Sequence, residues 1–148
     1  KEEARKHYRQ ALEIDEHFIR PYVQLAGLAL MENNYPVVLE LTNKALSLNP
    51  FEYPAIHFFN AVANFNTQNY DAAERSAKKT DLLDGRKQFP RNHLLLSRLH
   101  AQKGDYKEAA EQLKEYLQVQ PDGPDQKEVQ AELEQMETLM KSAAKPAE

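Results

Sequence analysis

Apolar residues recur along this chain at the spacing of amphipathic helices. The first stripe occupies positions i, i+4, i+7, i+8 and i+10, and it consists of Ala4, Tyr8, Ala11, Leu12 and Ile14. Similar stripes follow, separated by short polar or proline-containing segments. The pattern predicts helices at about residues 2–15, 19–31, 35–48, 53–66, 71–83, 90–103, 106–119 and 125–142.

The breaks between these helices are of two kinds, which groups the helices in pairs. Short polar turns join the two helices of a pair, at Asn33-Asn34, Gln68-Asn69-Tyr70 and Gly104-Asp105-Tyr106. Stronger stop signals end the second helix of each pair. These signals are Asn49-Pro50, Asp84-Gly85 and Pro121. The chain is therefore predicted to be a series of helical hairpins.

The hairpins recur with a nearly constant period. Ala11 and Ala45 are 34 residues apart, and the turn residues Tyr35, Tyr70 and Tyr106 follow at 35 and 36. A helix–turn–helix period of this length resembles the tetratricopeptide repeat family. The match is clearest at Leu96-Ser97, Gly104-Asp105-Tyr106, Ala109 and Pro121, and at Leu25-Ala26, Tyr35, Ala45 and Pro50.

The resemblance implies an all-α fold: a right-handed superhelical α-solenoid of antiparallel helix hairpins with a C-terminal capping helix. We expect residues 1–16 to be the second helix of a truncated repeat of a longer protein, with repeats at 19–50, 53–85 and 90–121. Residues 124–142 are predicted to cap the stack, and 143–148 to form a frayed tail. Alternatively, the last helix swaps into a second copy and forms a dimer.

One hairpin departs from the family pattern. An alignment without gaps from Tyr70 places Asn60 and Asn64 at positions where the family has a leucine and an aromatic residue. Two buried asparagines would need hydrogen-bond partners. A shift by one residue would instead bury Ile56, Phe59 and Ala63, so the sequence leaves two registers open.

The resemblance also implies where a partner would bind, because the first helices of such hairpins line a concave groove. Phe58 and Phe65 face this groove in either register, and Phe59 and Val62 only in the ungapped one. The predicted lining comprises Arg20, Val23, Gln24, Leu30, Phe58, Phe59, Val62, Phe65, Arg91, Leu94, Leu95 and Arg98.

An apolar floor flanked by arginines predicts a protein or peptide partner with apolar anchors and acidic groups, since guanidinium matches carboxylate geometry. Two alternatives remain. The apolar residues either serve only to pack the helices, or the groove is filled by the protein's own chain or a second copy, which would make it a homo-oligomer.

Composition narrows the remaining classes of function. The net charge of −4 lacks the basic excess typical of nucleic-acid binding, and no apolar run approaches the ~20 residues of a membrane span. There are no cysteines and no recognisable catalytic motif. His93 and His100 share a helix face, but a metal site needs three or four convergent ligands. We therefore expect no enzyme activity, cofactor or metal, and a soluble protein whose compartment, cytoplasmic or periplasmic, is open.

Overall fold

The computed structural model describes residues 1–143, and every regular element in that range is a helix. Each helix begins and ends within one residue of the position predicted from the sequence. The helices are α1 (Glu2–Ile14), α2 (Ile19–Met31), α3 (Tyr35–Leu48), α4 (Pro54–Asn66), α5 (Tyr70–Leu83), α6 (Arg91–Gln102), α7 (Tyr106–Val119) and α8 (Gln126–Ala143). The tail predicted at 143–148 lies outside the described residues, apart from Ala143.

The three tight turns share one backbone arrangement. The second residue after the first helix has a positive φ, and the next backbone N–H donates to the carbonyl five residues earlier, as in a Schellman cap. The turns are Asn33-Asn34, Gln68-Asn69 and Gly104-Asp105, with N···O distances of 2.9, 2.8 and 3.0 Å. The same local chemistry therefore reverses the chain at each predicted hairpin.

The first compact unit, Lys1–Gly85, contains α1 to α5. Helix α2 packs on α3 and α4 packs on α5, and the hairpins are joined by α3 against α4 and α2 against α4. Buried alanines at positions 29, 45 and 63 let these helices approach closely around Val38 and Ile56. The predicted all-helical stack of antiparallel hairpins is thus confirmed.

The second unit, which begins at Arg86, contains α6 to α8. Helix α7 packs on α6 and also on α8. Val129 of α8 is 2% exposed and joins Leu113 and Tyr116 in one apolar cluster. Helix α8 therefore caps α7 of its own chain.

Polar side chains lie inside the seam where α3, α4 and α5 meet. Asn60 Nδ2 donates to Thr42 Oγ1 at 2.9 Å, and Asn60 Oδ1 accepts from Ser76 Oγ and from Asn64 Nδ2, both at 2.8 Å. Asn60 is 4% and Asn64 8% exposed, as the ungapped register predicts. Ile56 and Ala63, which the shifted register would bury, are buried as well, while Phe59 is half-buried, so burial at Ile56 and Ala63 does not separate the two registers.

None of the helices within residues 1–143 is long and apolar enough to cross a membrane.

Candidate functional site

One face of α2 is exposed towards both of its ends and half-buried at Gly27 between them. It follows the helical spacing through Arg20, Gln24, Gly27 and Met31. Arg20 and Gln24 are exposed, and the Met31 side chain is 67% exposed. This face therefore offers a cation at one end and an apolar side chain at the other.

Aromatic rings of α4 lie beside this face. A Cβ placed on Gly27 would lie 3.5 Å from Phe59 Cε2, so the Phe59 ring packs over the glycine backbone. The ring centroids of Phe58 and Phe59 are 6.1 Å apart, and Phe65 meets Tyr70 edge to face at 5.6 Å. We call the exposed and half-buried residues of this surface the α2–α4 face: Arg20, Gln24, Gly27, Leu30, Met31, Phe58, Phe59, Val62 and Phe65.

Two of the predicted groove residues belong to the core instead of the surface. Val23 is 9% exposed and clusters with Ala45 and Ile56, and Leu95 is 8% exposed. Neither side chain presents much area to a partner. The sequence could not separate them from their neighbours, because one position along a helix decides which side of a seam a residue faces.

The predicted arginines of the second unit are already in contact with carboxylates. Arg91 Nη2 donates to Asp125 Oδ2 at 2.8 Å, and Arg98 Nη2 lies 3.8 Å from Glu132 Oε1. Both pairs join residues 34 positions apart, which is one repeat period. Helix α8 therefore stands to α6 as the first helix of a following repeat would.

Tyr116 also contacts the Asp125 carboxylate. Burial raises the pKa of the Tyr116 hydroxyl, and the nearby Asp125 carboxylate raises this pKa further. The hydroxyl remains protonated and donates to Asp125 Oδ2 at 3.4 Å. Asp125 is thus held between Arg91 and Tyr116, while Leu94 packs against the apolar cluster of α7 and α8.

A cleft of about 410 Å³ lies between α1, α2 and α3 and was not predicted from the sequence. Arg5 bridges its rim, because Arg5 Nη2 lies 2.7 and 2.8 Å from the two carboxylate oxygens of Glu32. The residues that line the cleft also include Arg9, Leu12, Glu40 and Leu41. Arg5 and Arg9 lie one turn apart on α1, and this spacing of two arginines on one helix face was already visible in the sequence.

The histidines considered as metal ligands have protein neighbours. His93 is buried with Nδ1 2.9 Å from Gln112 Oε1, and His100 Nδ1 lies 3.9 Å from an Asp105 carboxylate oxygen. Across residues 1–143 no three His, Asp or Glu side chains gather in a way that would hold a metal ion.

The sequence and the fold were compared with known proteins. Residues 67–133 match the model of the tetratricopeptide repeat family. Among curated proteins, none matches the sequence at a significant level.

Solved structures match the fold over most of the chain. The crystal structure of MamA protein has a TM-score of 0.72 at 14% identity, covering 94% of this chain and 78% of that one. The type III secretion translocator chaperone SycD of Yersinia enterocolitica also has a TM-score of 0.72, at 17% identity, covering 83% of this chain and 86% of its own. Residues 67–133 are therefore similar to tetratricopeptide repeats, and the chain has a helix-hairpin solenoid fold like those of MamA and SycD.

Proposed function

We propose that this chain is a non-enzymatic protein-interaction scaffold, and that its α2–α4 face binds a partner segment with apolar anchors and acidic groups. The observation that carries the proposal is the exposed Met31 side chain one turn from Gly27, over which the half-buried Phe59 ring of α4 packs. Contiguous apolar surface of this kind, bordered by polar residues, is typical of interaction sites.

Gly27 supports binding over packing as the role of this face. Glycine inside a helix costs about 1 kcal/mol relative to alanine. A Cβ at this position would make an ordinary van der Waals contact with Phe59 at 3.5 Å, so the packing leaves room for a methyl group. Packing against Phe59 therefore does not by itself require glycine at this position.

Arg20 supports the acidic part of the proposal. Its side chain is exposed and forms no hydrogen bond or ion pair with the residues described, 1–143. An exposed guanidinium is free to form a two-pronged contact with a carboxylate. A partner with an acidic residue beside its apolar anchors would therefore match the face in both chemistries.

The structural neighbours agree with a binding role. SycD, which has the same fold, is a translocator chaperone. We extend only the general role, the binding of another protein, to this chain.

Isothermal titration with peptides selected from a random displayed library against the wild-type chain tests the proposal. We expect Met31→Ala and Phe58→Ala each to weaken binding by roughly tenfold, because a few buried anchors dominate such interfaces. Leu82→Ala is the matched control, since Leu82 is 74% exposed on α5, away from this face. Arg20→Ala, compared with the exposed Arg75→Ala, tests the acidic contact in the same way.

Equal affinities for Met31→Ala, Phe58→Ala and the Leu82→Ala control would contradict the proposal. A second contrary result would come from light scattering. If the wild type is a dimer that Phe58→Asp dissociates, the face serves self-association instead of partner binding.

A further inference from the structure

Helix α6 presents two guanidinium groups at a fixed spacing. Arg91 and Arg98 are seven residues apart, which is about 10 Å along a helix at 1.5 Å per residue. Asp125 and Glu132 have the same spacing and contact the arginines in order. The result is a ladder with two rungs between α6 and the segment that carries α8.

The two rungs leave most of the donor capacity of the arginines unused. Arg91 and Arg98 are 66% and 55% exposed, and each approaches its carboxylate through a single nitrogen. At 3.8 Å the Arg98 contact is longer than a hydrogen bond. Arginine has five N–H donors, so both guanidinium groups can donate hydrogen bonds to another carboxylate.

We infer that α6 binds an acidic partner segment with two carboxylates about 10 Å apart, and that Asp125 and Glu132 are its built-in competitors. This inference rests on the proposed function, because it concerns the acidic groups of the partner. A helix with acidic residues at i and i+7 fits this spacing.

Exchange of carboxylates does not require α8 to leave. Helix α8 is held by Val129, which packs with Leu113 and Tyr116 in the interior of the unit. The arginine side chains are exposed and the two carboxylates are 29% and 32% exposed, so the pairs are partly solvated, and such pairs contribute little to stability. Neutralising Glu132 should therefore release Arg98 for the partner while the fold stays intact.

The experiment measures fluorescence anisotropy at low ionic strength with labelled, end-blocked, alanine-based helical peptides. One probe carries glutamates seven positions apart and the other carries the same glutamates adjacent. We expect Glu132→Gln to bind the first probe about two- to fivefold more tightly than the wild type, which is the range for one exposed ion pair. Asp125→Asn combined with Glu132→Gln should increase the gain, and Arg91→Ala with Arg98→Ala should remove binding.

Glu137→Gln is the matched control. Glu137 also lies on α8 and pairs with Lys114 of α7 at 3.0 Å, so the control removes the same charge without touching α6. We expect its affinity to equal that of the wild type. The gain from Glu132→Gln should also disappear in concentrated salt, where exposed charges are screened.

The outcomes separate this inference from the proposed function. Unchanged or weaker binding by Glu132→Gln, with binding still lost in Arg98→Ala, would overturn the competition and leave acid binding in place. Equal affinity for the two probes would overturn the spacing. Absence of binding in every variant would overturn the inference, while the proposed function is tested separately, its acidic contact at Arg20 and its apolar anchors at Met31.

Discussion

At the scale of single residues, His57 shows how one buried polar group ties a loop to a helix. His57 lies on α4 and is 7% exposed, and its Nε2–H donates to the Pro50 carbonyl at 2.8 Å. Pro50 belongs to the connection that ends the α2–α3 hairpin. The bond therefore fixes the start of α4 against the preceding loop. Either the neutral imidazole or the imidazolium can donate this bond, but the imidazolium would place a charge in a buried site.

This environment predicts a pH dependence of stability. Burial lowers the pKa of His57 below its ordinary value of 6.5; the Pro50 carbonyl opposes this shift and the Lys79 cation adds to it. The unfolded chain therefore binds a proton near pH 6.5, whereas the folded chain does so only at lower pH. Unfolding free energy should fall as the pH drops below about 6.5.

Denaturant titrations at pH 7.5 and 5.5 check this expectation. His57→Gln keeps a donor for the Pro50 carbonyl, and it should lose less stability between the two pH values than the wild type. The exposed His17→Gln serves as the control and should follow the wild type. Identical pH dependence in wild type and His57→Gln would show that His57 is not responsible.

The residue scale is also where prediction from the sequence was least complete. Val23 and Leu95 were expected at the surface and are buried, because helical spacing defines a stripe only to within a residue. The carboxylates beside Arg91 and Arg98 come from a segment 34 positions later, which no local pattern in α6 reveals. Contacts between distant segments need the fold before they can be assigned.

At the scale of elements, prediction succeeded because the signals are local. Helix ends are set by turns such as Gly104-Asp105, whose hydrogen bonds lie within six residues of sequence. The stripe of each helix follows from its own period. The seam between α3, α4 and α5 is different, since the partners of Asn60 lie on two other helices and only the packed structure shows them.

The seam leads to a prediction at this scale. Asn60→Ala removes one hydrogen bond each from Thr42, Ser76 and Asn64, although Asn64 Nδ2 keeps the carbonyl of residue 60, and we expect a loss of about 2–4 kcal/mol in unfolding free energy. Chemical denaturation measures it. Asn66→Ala is the matched control, because Asn66 lies on the same helix, is exposed and, among residues 1–143, has a side chain that bonds only to the Val62 carbonyl. A loss in Asn60→Ala no larger than in Asn66→Ala would contradict the role of the polar seam.

At the scale of the whole molecule, the two compact units present different chemistry. The first unit carries the α2–α4 face, where Met31 and the rings of α4 provide apolar contact and Arg20 a single cation. The second carries paired arginines on α6 and a cap held by Val129. The repeat fold was predictable from its period, while this division of chemistry follows from which side chains the structure leaves open.

The proposed function requires that a partner segment contacts the α2–α4 face. The most direct measurement is a two-dimensional amide NMR titration of the isotope-labelled chain with a peptide selected for binding. We expect that the largest changes in amide chemical shift will occur at Gln24, Gly27, Met31 and Phe59. Changes concentrated on the outer helices α3 and α5, with Gly27 and Met31 unaffected, would contradict it.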